Sequence, residues 1–171
     1  MPTLSGTVKY LQVRHFDRNY QFDDTVKSNI TLPDGKIERH LLKEGDILLA
    51  VKGYDHFAVM YNESIGRAVA STVFLVIRLK AKEVLHEYLV WFLNHPRTQG
   101  LLAGSSKGSN LPSITKSDVE KIEVPIPSVE IQKTVLEIHR LRQQEIDIKQ
   151  RIEELHELSV QHQILNAINQ P

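Results

Sequence analysis

Gly104 to Gln132 reads GSSKGSNLPSITKSDVEKIEVPIPSVEIQ. A polar glycine–serine loop opens the stretch, and Ser117–Val119 suggests a short turn. Lys121–Pro127 then has the composition of a short strand closed by prolines, which cannot donate to a sheet ladder. Beyond it comes a charged, apolar-striped run with no proline until Pro171. This order predicts a compact domain over 1–127 and a long helix over 128–171.

The helical reading rests on spacing. Ser128 suits an N-cap, where a hydroxyl satisfies an otherwise unpaired amide. Ile131, Ile138 and Ile152 lie seven or fourteen residues apart, as do Leu141, Ile148 and Leu155. The two series interleave at three and four, which is the heptad seam of a coiled coil. Glu145 and His162 interrupt it. A helix from Val129 to Ile168 is about 60 Å long at about 1.5 Å per residue. No glycine or proline lets it double back, so its stripe needs a partner helix.

Upstream, Val8–Val13 reads as a strand, and Arg14–Lys36 is polar with a Pro33-Asp34-Gly35 turn signal. Ile47–Val51 reads as a buried strand, and Phe57–Tyr61 as another. Ser71–Leu79 is the most β-like run, rich in branched and aromatic residues. From Lys82 the period changes. Val84, Tyr88, Leu89, Phe92 and Leu93 make one apolar helix face, and Pro96 ends that helix or opens a second. The fold class is therefore α+β, with a curled, mainly antiparallel sheet and short helices ahead of the long coiled-coil helix.

Composition excludes several classes. The 171 residues are 41% hydrophobic, contain no cysteine and carry zero net charge. A disulfide framework or thiolate metal site is ruled out. No apolar run is long enough for a bilayer, so a cytoplasmic protein is expected. Residues 1–127 hold 16 Lys+Arg against 14 Asp+Glu, and residues 128–171 hold 5 against 7, a mild asymmetry. Eight histidines show no H-x-x-x-H or H-E-x-x-H spacing, so no metal is expected. No phosphate-binding glycine loop or nucleophile elbow is present, so neither catalytic residues nor a cofactor are assigned. Trp91, at helical spacing with Tyr88 and Leu89, reads as core.

The opening stretch resembles half of a DNA-specificity subunit of type I restriction–modification systems. In that family a recognition domain ends in a polar glycine-rich loop, a short strand of i-x-i-P-x-P form and the l-x-E-Q start of a long helix. Here these stand as Gly108–Ile114, Ile122–Pro127 and Val129-Glu130-Ile131-Gln132. Gly45-Asp46-Ile47-Leu48-Leu49 and Ala70–Arg78 resemble two further strands of the family. Ile131 stands where the family has glutamate, and extends the seam. Family members carry two recognition domains and two helices; this chain has one of each.

The resemblance implies a non-catalytic subunit that reads one half of a bipartite site in double-stranded DNA. It implies docking of methyltransferase subunits, which bring S-adenosylmethionine, and often of a restriction subunit. It further implies a homodimer through antiparallel C-terminal helices, because the family's two helices run antiparallel. Dimerisation residues would be Ile131, Ile138, Leu141, Ile148, Ile152 and Leu155. DNA contacts are expected first from Lys107, Ser109, Asn110, Ser113 and Lys116, whose amides, hydroxyls and cations suit phosphates, with Asn110 able to pair with adenine. Lys52, Tyr54 and His56, in a loop after a buried strand, come next, and Arg14, Lys36 and Arg39 last. Two alternatives stay open: a protein-interaction module with a coiled-coil tail that never touches DNA, and a recognition piece separated from a single-chain restriction enzyme.

Overall fold

The structure is a computed structural model that describes residues 8–17, 20–23, 25–26, 29–30, 37–105 and 112–168. It divides into two compact units, Met1–Val129 and Glu130–Pro171.

Six short strands build the first unit: β1 (Val8–Leu11), β2 (Asn29–Ile30), β3 (Ile47–Ala50), β4 (Ala58–Met60), β5 (Ala68–Ala70) and β6 (Phe74–Ile77). They form two three-stranded sheets, ordered β2-β1-β5 and β4-β3-β6. Pairing is antiparallel except between β1 and β5, which run parallel with Tyr10 beside Val69. The mainly antiparallel expectation holds, but the single curled sheet does not. Strands of two to four residues span at most about 14 Å, too short to wrap. The β-like run at Ser71–Leu79 also breaks early. Phe74 donates its amide to the Ser71 carbonyl at 3.0 Å, which leaves only Phe74–Ile77 in the ladder.

The two sheets meet in one core. Leu11 and Ala68 from the first pack with Leu48, Ala50, Val59 and Phe74 from the second. Phe16, Phe57 and Phe74 join edge to face at 5.8–6.1 Å, a geometry the ring quadrupoles favour. Every residue of β3 is buried, as expected of a strand paired on both sides and covered on both faces. Each such leucine contributes about 1.5–3 kcal/mol on leaving water.

The turn into β3 is made by Gly45 and Asp46. Gly45 has φ +80°, and a Cβ there would meet the His86 ring at 3.0 Å. Asp46 is 1% exposed. It accepts from the Lys43 amide at 2.8 Å and from Arg78 Nε at 2.6 Å. The charge is therefore neutralised and hydrogen-bonded, the condition for burying a carboxylate.

Helices α1 (His86–Asn94), α2 (Pro96–Ser105) and α3 (Lys116–Glu120) follow. Pro96 opens α2, where its missing amide costs nothing. α1 buries Tyr88, Leu89 and Leu93 and packs on β4. Asn94 closes the contact: it accepts from the Ala58 amide and donates to the Ala58 carbonyl, both at 2.8 Å. β4 is an edge strand, and this amide occupies groups that would otherwise template a further strand. Lys121–Pro127, expected as a strand, contains none. Its prolines lack amides, and the Pro125 carbonyl instead accepts from the Tyr88 hydroxyl at 2.9 Å.

The helix α4, Val129–Ile168, supplies the described part of the second unit and has the limits expected from the sequence. Ile131, Ile138, Leu141, Ile148, Ile152 and Leu155 are each 50% to 63% exposed. Its surface is laced with ion pairs at i,i+3 and i,i+4, such as Arg140–Glu137 and Arg151–Glu154, worth a few tenths of a kcal/mol each.

Candidate functional site

Hydrogen bonds tie four loops together at one end of the strands. The Ser71 amide donates to the Leu11 carbonyl at 2.8 Å, and the Val51 amide to the Val73 carbonyl at 2.9 Å. Ile114, 3% exposed, donates its amide back to Val51 at 2.8 Å, and Gly53 donates to Pro112 at 3.0 Å. Lys52 and Ser113 face each other as an isolated antiparallel bridge. The loop after β3, the β5–β6 turn, the turn after β1 and the segment Pro112–Thr115 are therefore one backbone-linked cluster.

This cluster carries six of the residues singled out from the sequence, five exposed and one, His56, buried. Lys52, Tyr54, Ser113 and Lys116 are exposed, and Tyr54 is 78% so. Gly53, at φ +107° with nothing near its missing Cβ, supplies the turn that sets Lys52 and Tyr54 outward; side chains rarely adopt that φ. Arg14 is exposed in the 3-10 turn Val13–His15 that follows β1. Lys116 begins α3 behind a capping box. Thr115 Oγ accepts from the Asp118 amide at 3.2 Å, and the Asp118 carboxylate accepts from the Thr115 amide at 3.0 Å and its hydroxyl at 2.6 Å. Those bonds hold the Asp118 carboxyl below the usual carboxylate range. Lys116 lies 3.4 Å from Glu120, both largely exposed; such a pair contributes little and yields readily to another anion.

Two histidines face inward. His56 is 8% exposed, and its Nδ1 lies 3.2 Å from the Ala50 carbonyl. A carbonyl only accepts, so Nδ1 carries the hydrogen and the ring locks the loop rather than projecting from it. His15 is 2% exposed; its Nδ1 accepts from the Gln12 amide at 2.8 Å. Burial pushes its pKa down, against a rise from the Gln12 backbone. Arg39 stands apart in the turn Glu38–His40, whose Glu38 pairs with Arg67 at 3.0 Å. Lys36, Lys107, Ser109 and Asn110 lie outside the described residues.

A concavity away from these loops was missed from the sequence. A groove of about 630 Å³ runs between α1, α2, α3 and Lys121–Pro125, lined by Trp91, Phe92, Leu101, Ile122 and Pro125 among others. Trp91 is half-buried, not core, with the His95 ring edge-on at 5.5 Å. Only Leu101, apolar yet 60% exposed, hints at the groove in retrospect. Among the described residues no group of three or more His, Asp or Glu is placed to hold a metal, and no helix is long and apolar enough to cross a membrane.

The family model for the type I restriction modification DNA specificity domain matches residues 3–157, well over half of the chain. Comparison with curated proteins gives no match.

Proposed function

Because the chain belongs to the type I restriction–modification DNA specificity domain family, we propose that it is a non-catalytic recognition subunit that works as an antiparallel homodimer. Residues 1–127 are the target-recognition domain, and residues 128–171 are the spacer and dimerisation helix. Each domain reads one half-site through the major groove, where the four base-pair orientations differ in their donors and acceptors. Lys52, Tyr54, Ser113, Lys116 and Arg14 form the described part of the DNA-facing surface. Lys107, Ser109 and Asn110 precede Pro112 in the sequence and are assigned to the same surface. His56 contributes by shaping the loop. Methyltransferase subunits dock on the pair and supply the chemistry.

One observation supports the antiparallel arrangement. Setting Ile131 opposite Leu155 of a second, reversed copy also sets Ile138 opposite Ile148 and Leu141 opposite Glu145. Ile152 falls opposite Thr134, so two of the four kinds of layer are wholly aliphatic and the other two join an aliphatic residue to Glu145 or Thr134. A parallel, in-register pair would instead stack Glu145 on Glu145. In the reversed pair Glu145 faces leucine, and its charge is met within its own helix by Arg142 and Lys149, both at 2.6 Å.

Identical halves read identical half-sites, so the target is an interrupted palindrome, the protein two-fold mirrored in the DNA. Methylome sequencing of a host expressing the chain with its methyltransferase tests this. An interrupted palindrome supports the reading. An asymmetric bipartite site overturns the homodimer, and no site-specific methylation overturns the DNA-recognition role.

A further inference from the structure

Among the described residues Tyr20 is the one non-glycine at positive φ, +60°. In that conformation Cβ crowds the following carbonyl, so only glycine, and occasionally asparagine or aspartate, visits it routinely. The surrounding bonds hold it there. Tyr20 donates its amide to the Asp17 carbonyl at 3.0 Å, and Asp17 donates its own to the Gln21 carbonyl at 2.9 Å. Phe16 and Phe22 form an antiparallel bridge, and Asp23 donates its amide to the His15 carbonyl at 2.8 Å. Strain that the surroundings over-determine is characteristic of sites that clamp a ligand.

The ring is placed as firmly as the backbone. It stacks on Phe57, with centroids 4.8 Å apart and planes 6° from parallel. Phe57 is 3% exposed and is met edge to face by Phe16 and Phe74. One face of Tyr20 therefore rests on the core, yet the residue is 42% exposed. Its position joins it to the loop cluster. Phe57 ends the loop that carries Lys52 and Tyr54, and its carbonyl closes that loop by accepting from the Ala50 amide at 2.8 Å. Tyr20 thus stands where the loop after β3 meets the turn after β1.

Charge narrows what it touches. Arg14 to Asp23 holds Arg14 and Arg18 against Asp17 and Asp23, so this stretch has no net charge to offer a phosphate. Lys9 adds a cation from β1, but it lies over the Phe22 ring, 4.9 Å from the centroid. Phosphate binding is mainly electrostatic. A positioned phenol hydroxyl, which donates or accepts, suits a base edge instead, where the pattern of donors and acceptors identifies the pair.

We infer that Tyr20 is a specificity-determining contact, whose hydroxyl meets one base edge in each half-site while the strained turn and the Phe57 stack hold it in place. This rests on the DNA-recognition role proposed above. Tyrosine suits the task, because a ring with two side-chain torsions loses little freedom on binding.

The full chain, assembled with its methyltransferase subunits, is offered a library of random-sequence double-stranded oligonucleotides. The sequences selected by wild type and by Tyr20→Phe are compared. Phenylalanine keeps the stack on Phe57 and removes only the hydroxyl, so the variant is expected to melt with wild type. It is expected to select the same site with one base pair of each half-site relaxed about threefold to tenfold, the contribution of one net hydrogen bond. The salt dependence of binding is expected to stay unchanged, as for a base contact. Identical selection by the two proteins leaves Tyr20 a cover for Phe57 and overturns the inference while the recognition role stands. Equal weakening on every sequence with a shallower salt slope makes Tyr20 a phosphate contact and also overturns it. A wild-type assembly that selects no sequence overturns the recognition role, and the part assigned to Tyr20 with it.

Discussion

Replacing Asn94 by alanine tests how the edge of the β4-β3-β6 sheet is closed. The carboxamide makes two bonds at 2.8 Å, one to the amide and one to the carbonyl of Ala58, and Ala58 is 0% exposed. Both backbone groups lose their partner in the variant. A hydrogen bond that water can replace contributes about 0.5–1.5 kcal/mol, and a buried group left unpaired costs about 1–3 kcal/mol. The alanine cavity admits some water, so the expected loss is about 2–4 kcal/mol, out of a total stability of about 5–15 kcal/mol. In a domain of this size that lowers Tm by roughly 10 °C. Urea unfolding followed by Trp91 fluorescence, which reports on the same helix, measures it, with far-UV dichroism as a second probe. Asn94→Asp sharpens the test. The carboxylate still accepts from the Ala58 amide, but it faces the Ala58 carbonyl with no proton to donate. Its folded-state pKa must rise above the unfolded value of about 3.9. Sign follows: the folded variant binds the extra proton, so its deficit against wild type narrows as pH falls through the raised folded pKa. An alanine variant within about 0.5 kcal/mol of wild type, or an aspartate variant whose deficit ignores pH, refutes the account.

Other outcomes follow from the same structure. If the proposed reversed pair forms, Ile138→Lys should shift sedimentation toward monomer and adding Ile148→Glu should restore the dimer, because the two positions face each other in that register; a double variant as monomeric as the single refutes the register. Asp46→Ala should cost about 2–3 kcal/mol in urea unfolding, less than a fully buried pair, because Arg78 is half exposed and regains water; Asp46→Asn, which still accepts from the Lys43 amide, should cost less. Asp118 is held below the usual carboxylate range by Thr115. Its capping contribution is thus complete above the ordinary aspartate pKa of about 4 and lost as pH falls through the depressed folded value. Thr115→Ala should weaken that dependence, because the residue-115 amide and Lys121 still face the carboxylate, and cost about 1 kcal/mol, read as the difference between the two acid-unfolding curves.

What the sequence determined alone is what depends on local period and covalent constraint. The limits of α4 follow from a seam repeated over many turns and from the absence of any breaker, and the structure returns Val129–Ile168. β3, β4 and the break at Pro96 were legible for the same reason, since flanking turn residues bound each one. Tertiary structure decided the rest. Whether Ser71–Val73 joins a strand or turns depends on the Ser71 amide bonding to Leu11, far away in the chain. Lys121–Pro127 has strand composition, but it pairs with no strand among the described residues, and Tyr88 takes the Pro125 carbonyl. His56 reads as a loop residue until the Ala50 carbonyl is seen to hold its ring. Trp91 sits at core spacing yet lines a groove, because α2 and the Lys121–Pro125 segment leave that face of α1 partly open. Periodicity states which side of an element is apolar. It does not state which distant segment arrives to cover that side, since loop closure and packing choose the segment among chemically similar ones.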